Sequence, residues 1–223
     1  MTQEYRLKTP LSEEQMRTLK TGDTVYLSGF VHTMRDMGHR RSLDMLERGE
    51  KLPLDLAGGI LWHAAPIVRQ TPAGRWEALS SGPTTSSRFT YLGSELMRRT
   101  GLRCIVGKGT MMAKAVETMG EVGSCFLNCT GGCAALYAQQ IEEVTDVHWT
   151  DLGLPEAIWV FRMKDFGPLI VGIDSHGQSL FENMGVTLRQ HLAEAYKNAR
   201  IDTEHSVSYL PKRVVGRSAS GKW

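Results

Sequence analysis

Apolar and polar positions alternate along the chain in a way that sorts it into short buried strands, glycine turns and amphipathic helices. Ser12-Glu13-Glu14-Gln15 has the S-x-x-Q form of a capping box, in which a serine and a glutamine satisfy each other's free backbone amides, and Gly22 follows as a stop. A helix over about 12–20 is predicted. TVYLSGFVHT (24–33) is rich in β-branched and aromatic residues and predicts a strand. From Arg35 to Glu50, Leu43, Met45 and Leu46 lie among charges, the pattern of an amphipathic helix closed at Gly49. Gly59-Ile60-Leu61-Trp62-His63 predicts a buried strand.

The centre repeats one rhythm. Cys104-Ile105-Val106 is a short apolar run, Gly107-Lys108-Gly109 a turn, and MMAKAVETM helical in composition; Ser124 to Leu127, Gly131-Gly132 and CAALYAQQIEE then follow the same order. Strand, glycine turn and helix in succession predict an α/β fold with a largely parallel sheet and crossover helices. AIWVFRMKDF and PLIVGID read as two further strands, and from about 193 the composition turns polar and basic. The expected organisation is one domain over 1–192 and a mobile tail over 193–223.

Composition narrows the function. At 223 residues with 41% hydrophobic content, the chain can bury a core without metal or disulfide staples. Its 26 basic and 24 acidic residues give a net charge of +2 and no long basic stripe, which disfavours nucleic acid as main partner. No apolar run approaches the roughly 20 residues that span a bilayer, and the N-terminus lacks a charged-then-apolar leader, so a soluble cytoplasmic protein is expected. Cys104, Cys125, Cys129 and Cys133 are therefore not expected to form a disulfide framework.

Each candidate for chemistry competes with a plainer explanation. Cys125, Cys129 and Cys133 lack the tight four-cysteine spacing of cluster ligands, and cysteine is commonly buried as a small hydrophobe. The seven histidines form no H-x-x-x-H or H-E-x-x-H pattern and predict no metal centre. Gly107-Lys108-Gly109 lacks the spacing of a nucleotide-binding loop, but one lysine at a helix start suits a carboxylate. In RDMGHRR (35–41) a solvated helix face competes with Arg35 as a bidentate carboxylate ligand. In SGPTTSSR (81–88) a capped turn explains the hydroxyls as well as a site does. Arg35, Arg88 and Lys108 stand at three separate turns that parallel strands would gather on one edge, where a dicarboxylate is their natural ligand. The chain shows no electrophile able to expel hydroxide, so another component must bring it.

In order, RDMGH, GPTTSSR and GKG, continued by LPEAIWV and FGPLIVGIDSHG, resemble the C-terminal domain of class I fumarases and the β subunits of related two-subunit hydro-lyases. The likeness runs from Leu11 to about Leu180. ILWHAAPIVRQ, RWEALSSGPTTSSR and VHWTDLGLPE are most similar to the β subunits that act on L(+)-tartrate, with Ala65 departing from the usual glycine before proline. The resemblance implies a swivelling β/β/α domain, and an iron–sulfur α subunit as partner, in an α2β2 assembly. It implies a [4Fe-4S] cluster on that partner's own cysteines, with one iron binding the substrate hydroxyl as Lewis acid. It implies Arg35, Arg88 and Lys108 as substrate-carboxylate ligands and Thr84 as the proton-abstracting group; because a hydroxyl is a poor base, nearby positive charge from Lys108 and Arg88 is expected to favour its deprotonated form. Fumarate/L-malate or a methylated relative as substrate, and a non-catalytic anion-binding scaffold, stay open as alternatives.

Overall fold

A computed structural model describes residues 2–200. The chain divides into two compact units, Met1–Asn183 and Met184–Trp223.

The first unit opens with β1 (Glu4–Lys8), α1 (Glu13–Thr18), β2 (Thr24–Thr33), α2 (Asp36–Glu47) and β3 (Ile60–Trp62). The predicted capping box is present, with Ser12 Oγ accepting from the Gln15 amide and the Gln15 side chain accepting from the Ser12 amide. A hairpin of β4 (Ala64–Gln70) and β5 (Trp76–Pro83) follows, then a 3-10 turn at Ser86–Phe89, α3 (Thr90–Thr100) and β6 (Cys104–Gly107). The chain continues through α4 (Ala113–Val122), β7 (Cys125–Asn128), α5 (Ala134–Ala138), β8 (Ile141–His148) and β9 (Ile158–Ile173). α4 ends where Gly123 adopts a left-handed conformation (φ 66°), one that a side chain rarely adopts.

The fold is mixed α/β, as the rhythm predicts, but the sheet closes on itself. β2, β3, β6 and β7 pair in parallel in that order; β9 pairs antiparallel with both β7 and β2 and completes the ring. β1 lies parallel on β2, and β8 antiparallel on β9. Alternation along the central strands splits their side chains between two cores. Ile60, Trp62, Cys104, Val106, Cys125 and Leu127 pack into one, whereas Leu61, Ile105 and Phe126 pack with Leu96, Met97, Val116 and Met119 of α3 and α4. Both faces are buried, which is why these strands read as unbroken apolar runs.

Two expectations are corrected. CAALYAQQIEE does not stay helical: α5 stops at Ala138, and Ile141 begins β8. Ile141, Val144 and Val147 are only partly buried but all pack on the core, and Val144 pairs with Phe161 of β9, so cross-strand packing overrides the helix propensity of the Gln and Glu residues. AIWVFRMKDF and PLIVGID form one long strand, β9, rather than two. Its pairing with β2 shifts register between Val25 and Leu27, opposite Phe166–Leu169, where Pro168 has no amide to donate.

α6 (Leu180–Asn198) starts in the first unit and makes up residues 184–198 of the second, so the expected tail begins inside a helix. Its remainder, 201–223, lies outside the described residues. Among the described residues, no helix is long and apolar enough to cross a membrane.

Candidate active site

Because β2, β3, β6 and β7 run parallel, the turns that leave them lie at one end of the ring. Arg35 leaves β2, His63 leaves β3, Lys108 leaves β6, and Asn128 ends β7. The exit of β5 is bound to the same end by backbone hydrogen bonds. The Thr84 amide donates to the His63 carbonyl (2.7 Å), the Lys108 amide to the Thr84 carbonyl (3.4 Å), and the Ser86 amide to the Lys108 carbonyl (3.1 Å). SGPTTSSR and GKG, 24 positions apart from Thr84 to Lys108, are thus one structural unit.

Three expected site residues converge directly. Thr84 and Lys108 share the backbone ladder, and Arg88 reaches back so that Nη2 donates to Thr84 Oγ1 at 3.3 Å. The same Arg88 nitrogen lies 3.0 Å from Asp36 Oδ2, tying the start of α2 to the 3-10 turn. Arg88 also lies over the Phe89 ring, 4.7 Å from its centroid. Lys108 has no ion pair among the described residues and lines a cleft of ≈ 730 Å³ with Thr85, Asn128 and Thr130. Gly131 passes close enough that a side chain there would touch Lys108 Cδ.

Arg35 joins this group through its neighbour Asp36, while its own guanidinium turns toward Glu156. Nε lies 3.6 Å from Glu156 Oε1, beyond hydrogen-bond distance, and is buried without a hydrogen-bond partner among the described residues. Glu156 Oε2 meanwhile accepts from the Met37 amide. Lys108 is not at a helix start as expected, since α4 begins at Ala113; a strand exit and the Thr84–Ser86 backbone hold it instead. What Lys108 offers an anion there is its own charge rather than a helix dipole.

Behind the cations lies a buried group that pattern reading missed. His39 and His63 are fully buried, and their rings pack with Phe89: His39 stacks on it at 5.1 Å and His63 tilts against it at 4.4 Å. His39 Nδ1 lies 2.8 Å from the Arg35 carbonyl, which can only accept, so Nδ1 carries the proton. Desolvation pushes the His39 pKa down to about 4. His63 is pushed well below the usual range by desolvation first, then by His39 and Arg88. Both rings are therefore neutral at pH 7. A signal existed in RDMGH and ILWH, where each histidine stands close to a strand or helix boundary, but the histidines are 24 positions apart and share no spacing rule.

The cysteines do not suit a cluster. Cys104 and Cys125 face each other across β6 and β7 inside the ring, and burial raises both thiols, Cys125 to about 12. Cys129 is likewise raised to about 12, and Cys133 stands at the start of α5. Cluster ligation requires thiolates, which burial disfavours at Cys104, Cys125 and Cys129. Among the described residues no group of three or more His, Cys, Asp or Glu could hold a metal ion.

The family model described as Fumarase C-terminus matches residues 1–184. The chain is similar to the L(+)-tartrate dehydratase subunit beta of Escherichia coli (strain K12), 43% identical over 174 residues, which is 78% of this chain and 85% of the relative. It is 40% identical over 185 residues to a putative L(+)-tartrate dehydratase subunit beta of Methanocaldococcus jannaschii, covering 82% of this chain and 94% of the relative. A putative fumarate hydratase class I of Geobacillus stearothermophilus is 38% identical over 188 residues, 84% of this chain but 35% of that protein.

Proposed function

Because the chain belongs to the fumarase C-terminus family, we propose that it is the β subunit of a hydro-lyase that dehydrates L(+)-tartrate to oxaloacetate and water. The observation that carries the reading is the convergence of Thr84, Arg88 and Lys108 at one end of the ring, with Arg88 donating to the Thr84 hydroxyl.

Arg88, Lys108 and Arg35 bind the two substrate carboxylates. Arg88 has five N–H donors in a fixed fork, so it can hold Thr84 and Asp36 through Nη2 and still offer donors to a ligand. Thr84 takes the proton from the carbon next to a carboxylate. An ordinary hydroxyl is a poor base, and the cations at Arg88 and Lys108 favour its deprotonated form by charge and by hydrogen bonding. The same cations stabilise the negative charge that builds on that carboxylate as the C–H bond breaks. The electron pair released forms the carbon–carbon double bond, the hydroxyl on the adjacent carbon departs, and the resulting enol ketonises. In this reading a [4Fe-4S] cluster held by a partner α subunit would, when bound, supply the Lewis acid for loss of the hydroxyl, a group that the buried thiols of this chain are not suited to hold. The working domain is 1–192, a swivelling β/β/α unit, within a cytoplasmic α2β2 assembly.

The test is to assay the chain alone and after co-expression with an iron–sulfur α subunit. Turnover of L(+)-tartrate only by the assembled pair supports the reading; full turnover by the isolated, metal-free chain overturns it. A second reading, fumarate and L-malate as the substrate pair, draws on the similarity to the class I fumarate hydratase. Turnover of malate above tartrate by the assembled pair decides for it. Undiminished function of the assembly after Arg88→Ala decides for a scaffold role instead.

A further inference from the structure

The three buried rings behind the cations each make a bond to a different part of the site. His39 Nδ1 donates to the carbonyl of Arg35, and Phe89 carries the Arg88 guanidinium over its face. His63 is tied twice: its carbonyl accepts from the Thr84 amide at 2.7 Å, and its Nδ1 shares a hydrogen bond with Ser86 Oγ at 2.9 Å. Ser86 is itself fully buried, and its amide donates to the Lys108 carbonyl. The fit around Ser86 is close, because a Cβ built on Gly107 would collide with Ser86 Oγ. Glycine at 107 is what lets the Ser86 hydroxyl lie against β6.

We propose that His63 is a positioning residue: through its hydrogen bond to Ser86 it fixes the Thr84–Arg88 turn against the Lys108 strand exit, and so sets the distance between the proton-abstracting hydroxyl and the carboxylate ligands. His63 does not touch substrate, being fully buried behind Phe89. Ser86 is the only residue of the turn whose side chain is bonded to it, and that turn carries Thr84 two positions before and Arg88 two positions after. A shift of one end of this turn therefore moves both functional side chains together. The titratable groups that bear on His63 are Arg88, a cation, and His39, which is neutral, so a neutral His63 adds no like charge behind the cations.

The inference rests on the proposed hydro-lyase reading for its kinetic arm and is independent of it in its spectroscopic arm. The kinetic arm measures kcat and KM for L(+)-tartrate in the assembled α/β enzyme for His63→Ala, Ser86→Ala, the double variant and His63→Asn, whose carboxamide can take the place of Nδ1. Each single alanine variant is expected to lower kcat by roughly tenfold to a hundredfold, as small misplacement of reacting groups does. The double variant should fall no further than the worse single one, and His63→Asn should recover to within about threefold of wild type. Losses that multiply in the double variant, or an unchanged kcat in the folded Ser86→Ala enzyme, overturn the proposal. Should His63→Ala not fold, Ser86→Ala and His63→Asn carry the same decision. The spectroscopic arm follows the ¹⁵N ring resonances of His63 in the isolated chain. Ser86→Ala should shift the Nδ1 signal and leave that of His39 in place, and no shift overturns the bond on which the proposal depends. A wild-type assembly inactive on tartrate, with the expected ring shift present, sinks the substrate assignment alone.

Discussion

The two sides of the Thr84–Phe89 turn differ in almost every physical respect although they are a few residues apart. On the open side Arg88 and Asp36 are well exposed, ion-paired at 3.0 Å and surrounded by water that screens their charge. On the closed side His39, His63 and Phe89 are fully buried and neutral at pH 7. The difference teaches what each side is for. Under the proposed function, Arg88 and Lys108 would meet an anionic ligand from the solvated side, whereas the groups behind them gain from exclusion of water, where hydrogen bonds are stronger. The turn residues serve both ends at once, which is why Ser86 faces inward and Arg88 outward.

The largest effect should come from the closed side. Phe89→Ala removes the ring that packs on both histidines and lies beneath Arg88, and a loss of about 3–5 kcal/mol in unfolding free energy is expected from denaturant titration. A loss under about 1 kcal/mol would show that the aromatic group is not a core. The next effect is a pH dependence. His39 titrates near 4 when folded and near 6.5 when unfolded, so between those values the unfolded chain binds more protons. Its contribution is fully present above pH 6.5 and is lost as pH falls toward 4, amounting to about 3 kcal/mol from the 2.5-unit difference. Urea midpoints across that range should fall for the wild type and fall less for His39→Phe; parallel slopes would assign the acid sensitivity elsewhere.

On the open side the sign of the trade reverses, with activity affected and stability spared. Arg88→Ala in the assembled enzyme should lower turnover by more than tenfold, corresponding to about 1.5–3 kcal/mol for a charged contact, while leaving the thermal midpoint nearly unchanged. A variant with normal turnover would remove the central cation from the proposed mechanism. The smallest effect is expected for Glu156→Gln. It keeps an acceptor for the Met37 amide but removes the charge 3.6 Å from Arg35. KM should change by less than about fivefold, the scale of a partly exposed ion pair. A larger change would make Glu156 part of the binding site proper.

How much of this was legible in the sequence varies with the range of the interactions. The capping box at Ser12, β2, α2 and the two strand–turn pairs at Cys104 and Cys125 follow from patterns within ten or so residues, and the structure has them. The hairpin over 64–83 pairs within itself and is absent from the predicted elements, whereas the β8 strand depends on a partner further along the chain, β9. Helix-forming Gln139, Gln140, Glu142 and Glu143 pointed the wrong way until Phe161 and Val160 of β9 were there to pair with. The cations of the site were legible because charge at a glycine or hydroxyl-rich turn is a local feature. The rings behind them were not, because a histidine's burial and its neighbours are set by elements that meet only on folding.

By itself, then, the sequence determined the alternation that builds the strands, the turns at which they end, and the presence of Arg35, Thr84, Arg88 and Lys108 at those turns. Tertiary structure alone decided that β9 would pair with both β2 and β7 and close the ring. It also decided that the backbone of Thr84 would bridge His63 and Lys108, and that two histidines 24 positions apart would share one dry pocket with Phe89. The physical reason is range: propensity and alternation act over a few residues, whereas burial, desolvation and hydrogen-bond pairing between strands take their values only from neighbours that the chain brings together by folding.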